Sequence, residues 1–101
     1  MEVKFAEPGV LILASLAGGP KHGYALIKDI EEIAGTTLGP GTLYGALGRL
    51  ERDGLVEALP AEDRRRPYRI TAAGAEVARA YLEHVRAVAR VGLRRLGPAH
   101  A

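Results

Sequence analysis

Glycine and proline divide this chain into four segments, each with a helical pattern of apolar residues. Gly18-Gly19-Pro20 ends the first segment, Gly35 the second, Gly54 the third and Gly97-Pro98 the last. Because glycine weakens a helix and proline ends it, breaks spaced this closely favour short helices followed by one long C-terminal helix. The chain is therefore expected to be mainly α.

The first two segments predict one buried helix and one amphipathic helix. Pro8 suits the first turn of a helix, and the run from Val10 to Leu16 is apolar nearly all round, which indicates burial. From about His22 to Ala34 the apolar residues repeat on one face, with the charged residues away from it.

The third segment predicts a helix that begins near Pro40 and ends near Asp53. Two short helices, a glycine-containing turn and a third helix make a helix-turn-helix pattern, whose third helix enters the major groove of DNA. Gly45 and Gly48 lie on the outward face of this helix. They indicate either close approach of the helix backbone to DNA or a helix that is poorly optimised or tightly packed.

Two strands are predicted after the third helix, from Leu55 to Leu59 and from Tyr68 to Thr71. The residues between them predict a long, charged hairpin tip rather than a tight two-residue turn. A hairpin directly after a recognition helix is a wing. The predicted fold class is therefore mainly α with a small β-hairpin, a winged helix-turn-helix.

The last helix is expected to run from Ala72 to Leu96. A helix of about 25 residues spans about 37 Å, more than a domain this small can cover. Its apolar stripe includes Tyr81, Val85 and Val88, which therefore need a partner, most simply a second copy of the chain.

Domain organisation follows from this division of the chain. Residues 1–71 are predicted to form the DNA-binding domain, and residues 72–101 a dimerisation helix and tail, together as one structural unit.

Positive charge is distributed unevenly along the chain. Residues 1–63 carry five basic and ten acidic side chains, whereas Arg64, Arg65, Arg66 and Arg69 fall within six residues. Such a basic peak favours contact with the phosphates or minor groove of double-stranded DNA.

Composition narrows the function further. The chain has no cysteine, and no apolar run reaches the ~18 residues that span a bilayer. We expect a cytoplasmic protein without membrane contact, bound metal or cofactor. Its histidines, His22, His84 and His100, lie in separate elements, and Ser15 lies inside an apolar helix, so no catalytic constellation emerges and the chain is not expected to be an enzyme.

Motifs in a fixed order resemble one family. His22-Gly23-Tyr24 opens the second helix, Gly39-Pro40-Gly41-Thr42-Leu43-Tyr44 opens the third, and Leu50-Glu51-Arg52-Asp53-Gly54-Leu55-Val56 continues it. Arg65-Arg66-Pro67-Tyr68-Arg69-Ile70-Thr71-Ala72-Ala73-Gly74 closes the wing. Over about residues 8–96 the chain resembles the PadR-like transcriptional regulators, in their compact subfamily with a single C-terminal helix.

That resemblance implies a homodimeric repressor that binds a palindromic operator and is released by a small, often aromatic, effector. Two features depart from the family. Gly45 stands where a larger residue is common, and the last helix lacks a Trp that could stack on a flat ligand at the dimer centre. The alternative function is a winged-helix protein-interaction module without DNA binding, which the net charge of −5 over residues 1–63 favours.

The candidate DNA contacts lie at the start of the second helix, on the outward face of the third and in the wing. They are Lys21, His22, Tyr24, Thr42, Tyr44, Arg49, Arg52, Arg64, Arg65 and Arg66. The candidate dimer contacts, and possible effector site, are Tyr81, Val85 and Val88; these residues are alternatively plain core.

Several of these residues have a second interpretation. Tyr44 either donates its hydroxyl to a phosphate or packs on the second helix. Arg49 either reaches DNA or pairs with Asp53, four residues on. Arg52 has a similar alternative in Glu51 or solvent, and His22 in a capping or packing role.

Overall fold

The computed structural model describes residues 7–98. Its elements, in chain order, are α1 Pro8–Leu16, β1 Lys21–His22, α2 Gly23–Ala34, α3 Pro40–Arg52, β2 Val56–Ala58, β3 Pro67–Ile70 and α4 Ala72–Leu96. The mainly helical winged fold is confirmed. Residues 1–6 and 99–101, which include the outer ends of both predicted units and His100, lie outside the described residues.

One hydrophobic core joins the first three helices to the sheet. Its largest fully buried side chains are Ile12, Leu16, Leu26, Ile30, Leu43, Leu47 and Val56. Each such side chain contributes about 1.5–3 kcal/mol on removal from water. This core fixes α3 against α1 and α2 and leaves the opposite face of α3 in solvent.

The helix ends are set by local signals. Gly35 and Gly54 have φ values of 65° and 75°, in the left-handed region that glycine tolerates best. Pro8 and Pro40 lie in the first turns of α1 and α3, where a missing N–H costs nothing. The four helices therefore begin and end within about two residues of the predicted positions.

The sheet has three antiparallel strands in the order β1-β3-β2, where the sequence predicts a two-stranded hairpin. The added strand, β1, pairs Lys21 with Tyr68 and His22 with Pro67. Two residues are too short to show strand periodicity, and their pairing depends on residues more than forty positions away. Because β1 leads directly into α2, it joins the wing to the helix-turn-helix through the backbone.

The long, charged hairpin tip lies between β2 and β3 as predicted, but the expectation that no tight two-residue turn closes it was wrong. The backbone N–H of Glu62 donates to the carbonyl of Arg65 (2.7 Å), and the N–H of Arg65 donates to the carbonyl of Glu62 (2.8 Å). Asp63 and Arg64, between them, both have positive φ, 48° and 69°. This is the pattern of a two-residue type I′ turn, usually formed by glycine or asparagine, and Asp-Arg lacks that signal.

The last helix is anchored only at its beginning. Thr71 Oγ1 accepts from the backbone N–H of Gly74 (3.0 Å) and donates to the carbonyl of Gly54 (2.7 Å). In α4 the buried residues are Gly74 and Ala78. Beyond them the large apolar residues of α4 are exposed.

Candidate nucleic-acid interface

The exposed face of α3 is unusually bare. A Cβ placed on Gly41 would have no neighbour within 4 Å. At Gly45 and Gly48 the nearest atoms are Nη1 of Arg49 and Nη1 of Arg52, each at 3.8 Å. Within residues 7–98 nothing packs tightly on this face, so internal packing does not explain its glycines.

The two arginines of α3 lie along the glycine face. Helical side chains point toward the N-terminus of their helix, and each guanidinium reaches back over the glycine one turn earlier. The ion pairs in residues 7–98 are Lys21–Asp29 and Arg69–Glu57. The alternatives in which Arg49 pairs with Asp53 and Arg52 with Glu51 are therefore not formed, and both cations stay available.

Tyr44 connects α3 to the start of α2. Its side chain is 52% exposed, yet a Cβ on Gly23 would overlap its hydroxyl. The ring thus lies against α2, as one interpretation predicted, while enough of the side chain remains accessible for a contact with DNA. Tyr24, at 64%, and Thr42 are exposed beside it.

His22 is the N-cap of α2. Its Nδ1 lies 3.4 Å from the backbone nitrogen of Ala25 and accepts its hydrogen. On the other side of the ring, Nε2 lies 3.3 Å from Nη1 of Arg65 in the wing. The ring is therefore placed for the capping role and also contacts the wing, which the sequence did not predict; a neutral ring accepts a hydrogen in only one of the two contacts.

Lys21 points into the protein rather than away from it. Its ammonium donates to the carbonyls of Ser15 (2.5 Å) and Gly19 (3.4 Å), and it lies 3.9 Å from Asp29 Oδ2. Since cations stabilise the carbonyl end of a helix, Lys21 serves the end of α1. Its DNA contact stays a prediction, with these internal partners competing for the ammonium.

A polar network beneath the helix-turn-helix was missed by the sequence analysis. The hydroxyl of Ser15, which is only 2% exposed, donates to Asp29 Oδ2 at 2.6 Å, and Lys21 completes the network. Buried polar groups of this kind need hydrogen-bond partners. A serine within an otherwise apolar helix was the available signal, and it implies a polar partner on a neighbouring helix.

The free positive charge of the wing is smaller than the sequence suggests. Nε and Nη2 of Arg69 both lie 2.8 Å from Oε1 of Glu57, on the neighbouring strand. Arg64, Arg65 and Arg66 remain exposed at the tip. The basic peak of the wing therefore consists of three arginines, one of which contacts His22.

Tyr68 lies between the wing and α3. Burial raises the pKa of its hydroxyl, with a further increase from the negative charge of Glu51 and an opposing effect from Arg66. The tyrosine also packs against the hydrophobic core. Through Tyr68 the base of the wing packs against the same core that holds α3.

The predicted dimer residues lie on the exposed part of α4. Tyr81, Val85 and Val88 are 40%, 37% and 57% exposed. A cavity of about 410 Å³ lies elsewhere, between α1 and α4. Its lining residues are Ala14, Ala17, Ile70, Ala75, Ala78, Arg79, Leu82, Glu83 and Arg86. The three predicted residues are absent from this lining.

Helix α3, packed on α2 and followed by an arginine-tipped hairpin, defines a winged helix-turn-helix protein. In the described part of the chain, none of the helices is both long and apolar enough to cross a membrane. Residues 12–80 match the sequence model of the transcriptional regulator PadR-like family. The chain belongs to this family, as the sequence predicted.

The chain is also similar in sequence to part of a longer protein. An uncharacterised 37.1 kDa protein encoded in a transposon of Streptomyces fradiae is 52% identical over 68 residues, which cover 67% of this chain. The chain spans only about a fifth of that protein, since the match covers 20% of it.

Two solved structures share the fold over most of their length. A transcriptional regulator from Clostridium thermocellum superposes with a TM-score of 0.73 at 30% identity, covering 82% of this chain and 86% of its own. A PadR family transcription regulator from Clostridium difficile gives 0.79 at 25% identity, covering 89% and 98%. The chain thus belongs to a family of DNA-binding transcriptional regulators, which is not a family of enzymes.

Proposed function

We propose that the protein is a repressor that binds a palindromic operator in double-stranded DNA as a homodimer. In this proposal α3 enters the major groove and the wing lies along the neighbouring backbone or minor groove. The observation that carries it is the bare face of α3, where a Cβ on Gly45 or Gly48 would meet only the guanidinium of Arg49 or Arg52, at 3.8 Å.

The two glycines need an explanation, because glycine destabilises the interior of a helix. Each internal glycine costs about 1 kcal/mol relative to alanine. Alanine would fit at both positions without a close contact in the folded chain. A helix that keeps glycine there is less stable than it could be, and close approach of its backbone to DNA supplies a reason.

The side chains around the bare face suit the two kinds of DNA contact. Arg49 and Arg52 can reach guanine edges or phosphates, and Thr42 and Tyr44 can donate hydroxyl hydrogens to phosphates. At the wing tip, Arg64 and Arg66 add positive charge. Because residues 1–63 carry a net charge of −5, the potential favours approach of DNA from the wing side.

Dimerisation is supported by the apolar surface of α4. Its exposed large hydrophobic residues are Val77, Tyr81, Leu82, Val85, Val88, Leu93 and Leu96. Contiguous apolar surface of this kind marks an interface, and a two-fold dimer would present two α3 helices to half-sites about 34 Å apart. An effector was expected at Tyr81, Val85 and Val88, whereas the cavity between α1 and α4 is lined by other residues. The aromatic effector therefore stays a prediction.

The experiment uses a genomic DNA fragment that the purified wild-type protein selects from a fragment library. Gly45→Ala and Gly48→Ala are measured for thermal stability and for affinity to that fragment. Each is expected to raise stability by about 1 kcal/mol and to weaken binding about tenfold. The control is Gly9→Ala in α1, where the new Cβ meets Leu50 at an ordinary 3.7 Å.

A gain in stability together with a loss of affinity cannot come from a damaged fold. The control is expected to keep full affinity. Unchanged DNA binding in both α3 variants would show that this face is not the interface. Failure of the wild type to select any fragment at low salt would favour the protein-interaction module instead.

A further inference from the structure

The wing and the start of α2 meet at one pair of side chains. Nε2 of His22 lies 3.3 Å from Nη1 of Arg65, which is 43 residues away in the chain. Nδ1 of the same ring lies 3.4 Å from the backbone nitrogen of Ala25. The two residues also line a surface cleft with Glu62, Asp63 and Pro67.

The chemistry of imidazole makes these two contacts compete. A neutral ring has one nitrogen that accepts a hydrogen and one that carries a hydrogen. The N–H of Ala25 and the guanidinium of Arg65 are both donors only. His22 can therefore accept from α2 or from the wing, one at a time, and a protonated ring accepts from neither.

We propose that His22 is a positioning residue that holds the wing against the helix-turn-helix through Arg65. Arg65 then strengthens DNA binding by fixing the angle of the wing, whereas Arg64 and Arg66 contribute as free cations. This inference rests on the proposed DNA-binding function and assigns different tasks to neighbouring arginines of the same charge.

The position of the pair supports this role. Pairing between β1 and β3 ends at His22 and Pro67, so the hairpin tip extends beyond the three-stranded sheet. The contact between His22 and Arg65 holds the hairpin to β1 two residues beyond the last paired residue, Pro67, on the side of the tip turn. A wing ordered before binding loses less conformational freedom when DNA arrives, which strengthens binding without any new contact.

The decisive variants are His22→Asn, Arg65→Ala and the double variant. Asparagine is a good N-cap and keeps an acceptor for Ala25, but it is too short to reach the wing. Arg64→Ala is the matched control, because it removes the same charge from the adjacent position. Affinity is measured against salt concentration with the genomic fragment selected by the wild type.

If the pair acts as one unit, His22→Asn and Arg65→Ala each weaken binding about fivefold and the double variant weakens it no further. Arg64→Ala reduces the log–log salt slope by about 1, and its effect multiplies with that of His22→Asn. The proposal would be overturned if the double variant lost affinity by the product of the two single losses, since Arg65 would then contact DNA independently of His22.

A second measurement needs no DNA. Amide hydrogen exchange at Glu62 and Arg65, which pair across the tip turn, should be faster in His22→Asn than in the wild type. Equal protection in both proteins would overturn the role of His22, whereas absence of DNA binding by the wild type would overturn only the proposed function.

Discussion

Gly23 and Tyr44 lie so close together that a side chain at one excludes the present position of the other. A Cβ on Gly23 would overlap the hydroxyl of Tyr44 and lie 2.8 Å from its Cζ. The first residue of α2 thereby sets where an exposed tyrosine of α3 lies. Steric exclusion by Tyr44 thus explains why the second residue of the His22-Gly23-Tyr24 motif is glycine.

Gly23→Ala is expected to push the Tyr44 ring outward and to weaken DNA binding, with at most about 1 kcal/mol lost from stability because the half-exposed ring can rotate away. In a Tyr44→Ala background the same change should instead stabilise the protein by about 0.5–1 kcal/mol, since alanine is the better helix residue. Urea unfolding of the four proteins checks this reversal. The same sign in both backgrounds would contradict the steric relationship.

Gly74→Ala is expected to be far more damaging. Its Cβ would overlap the backbone carbonyl oxygen of Leu55 and lie 2.9 Å from Cγ1 of Ile70. Because backbone cannot rotate away as a surface ring can, the change should cost about 1–3 kcal/mol. Gly9→Ala serves as the control and should be neutral or stabilising in the same denaturant titration. Comparable stability of the two variants would show that α4 can shift away from Leu55.

Arg64→Gly is expected to order the wing tip while weakening DNA binding. Arg64 has a φ of 69°, a conformation that costs an L-residue roughly 1–2 kcal/mol. Glycine removes this strain together with the positive charge. Hydrogen exchange should therefore show stronger protection at Glu62 and Arg65, and DNA titrations a lower affinity.

Arg64→Lys separates the two effects, because it keeps the charge and the unfavourable φ. It should bind DNA nearly as well as the wild type and leave tip protection unchanged. Full affinity in Arg64→Gly would mean that the charge at this position does not act on DNA.

Val88→Asp is expected to separate the dimer. Val88 is 57% exposed on the apolar stripe of α4, and a carboxylate buried there without a partner would be costly. Sedimentation velocity should show the wild type as a dimer and this variant as a monomer with a retained helical spectrum. Its affinity for the selected fragment should fall, because two half-sites are no longer bound together.

Arg90→Asp is the control for charge, since residue 90 lies on the opposite side of α4 by helical periodicity. It should remain dimeric. A wild type that sediments as a monomer at micromolar concentration would contradict the dimer, whatever the variants do.

Local features of the sequence determined the four helices. Glycines at their ends, prolines in their first turns and the spacing of apolar residues act over one or two turns, so the chain itself displays them. The arginine cluster and the bare face of α3 were visible for the same reason. These features were enough to predict the winged helix-turn-helix, whereas the family was predicted from the resemblance of the motifs at residues 22–24, 39–56 and 65–74.

Tertiary structure alone decided how the pieces meet. Strand β1, the turn of Lys21 toward Ser15 and the pairing of Arg69 with Glu57 depend on residues brought together by folding. The same is true of the contact between His22 and Arg65. Charge and periodicity predict which side chains are polar or exposed, but not which partner each one finds. The partner is set by the packing of α1, α2 and the sheet around one core, and that packing decides which basic side chains remain free for DNA.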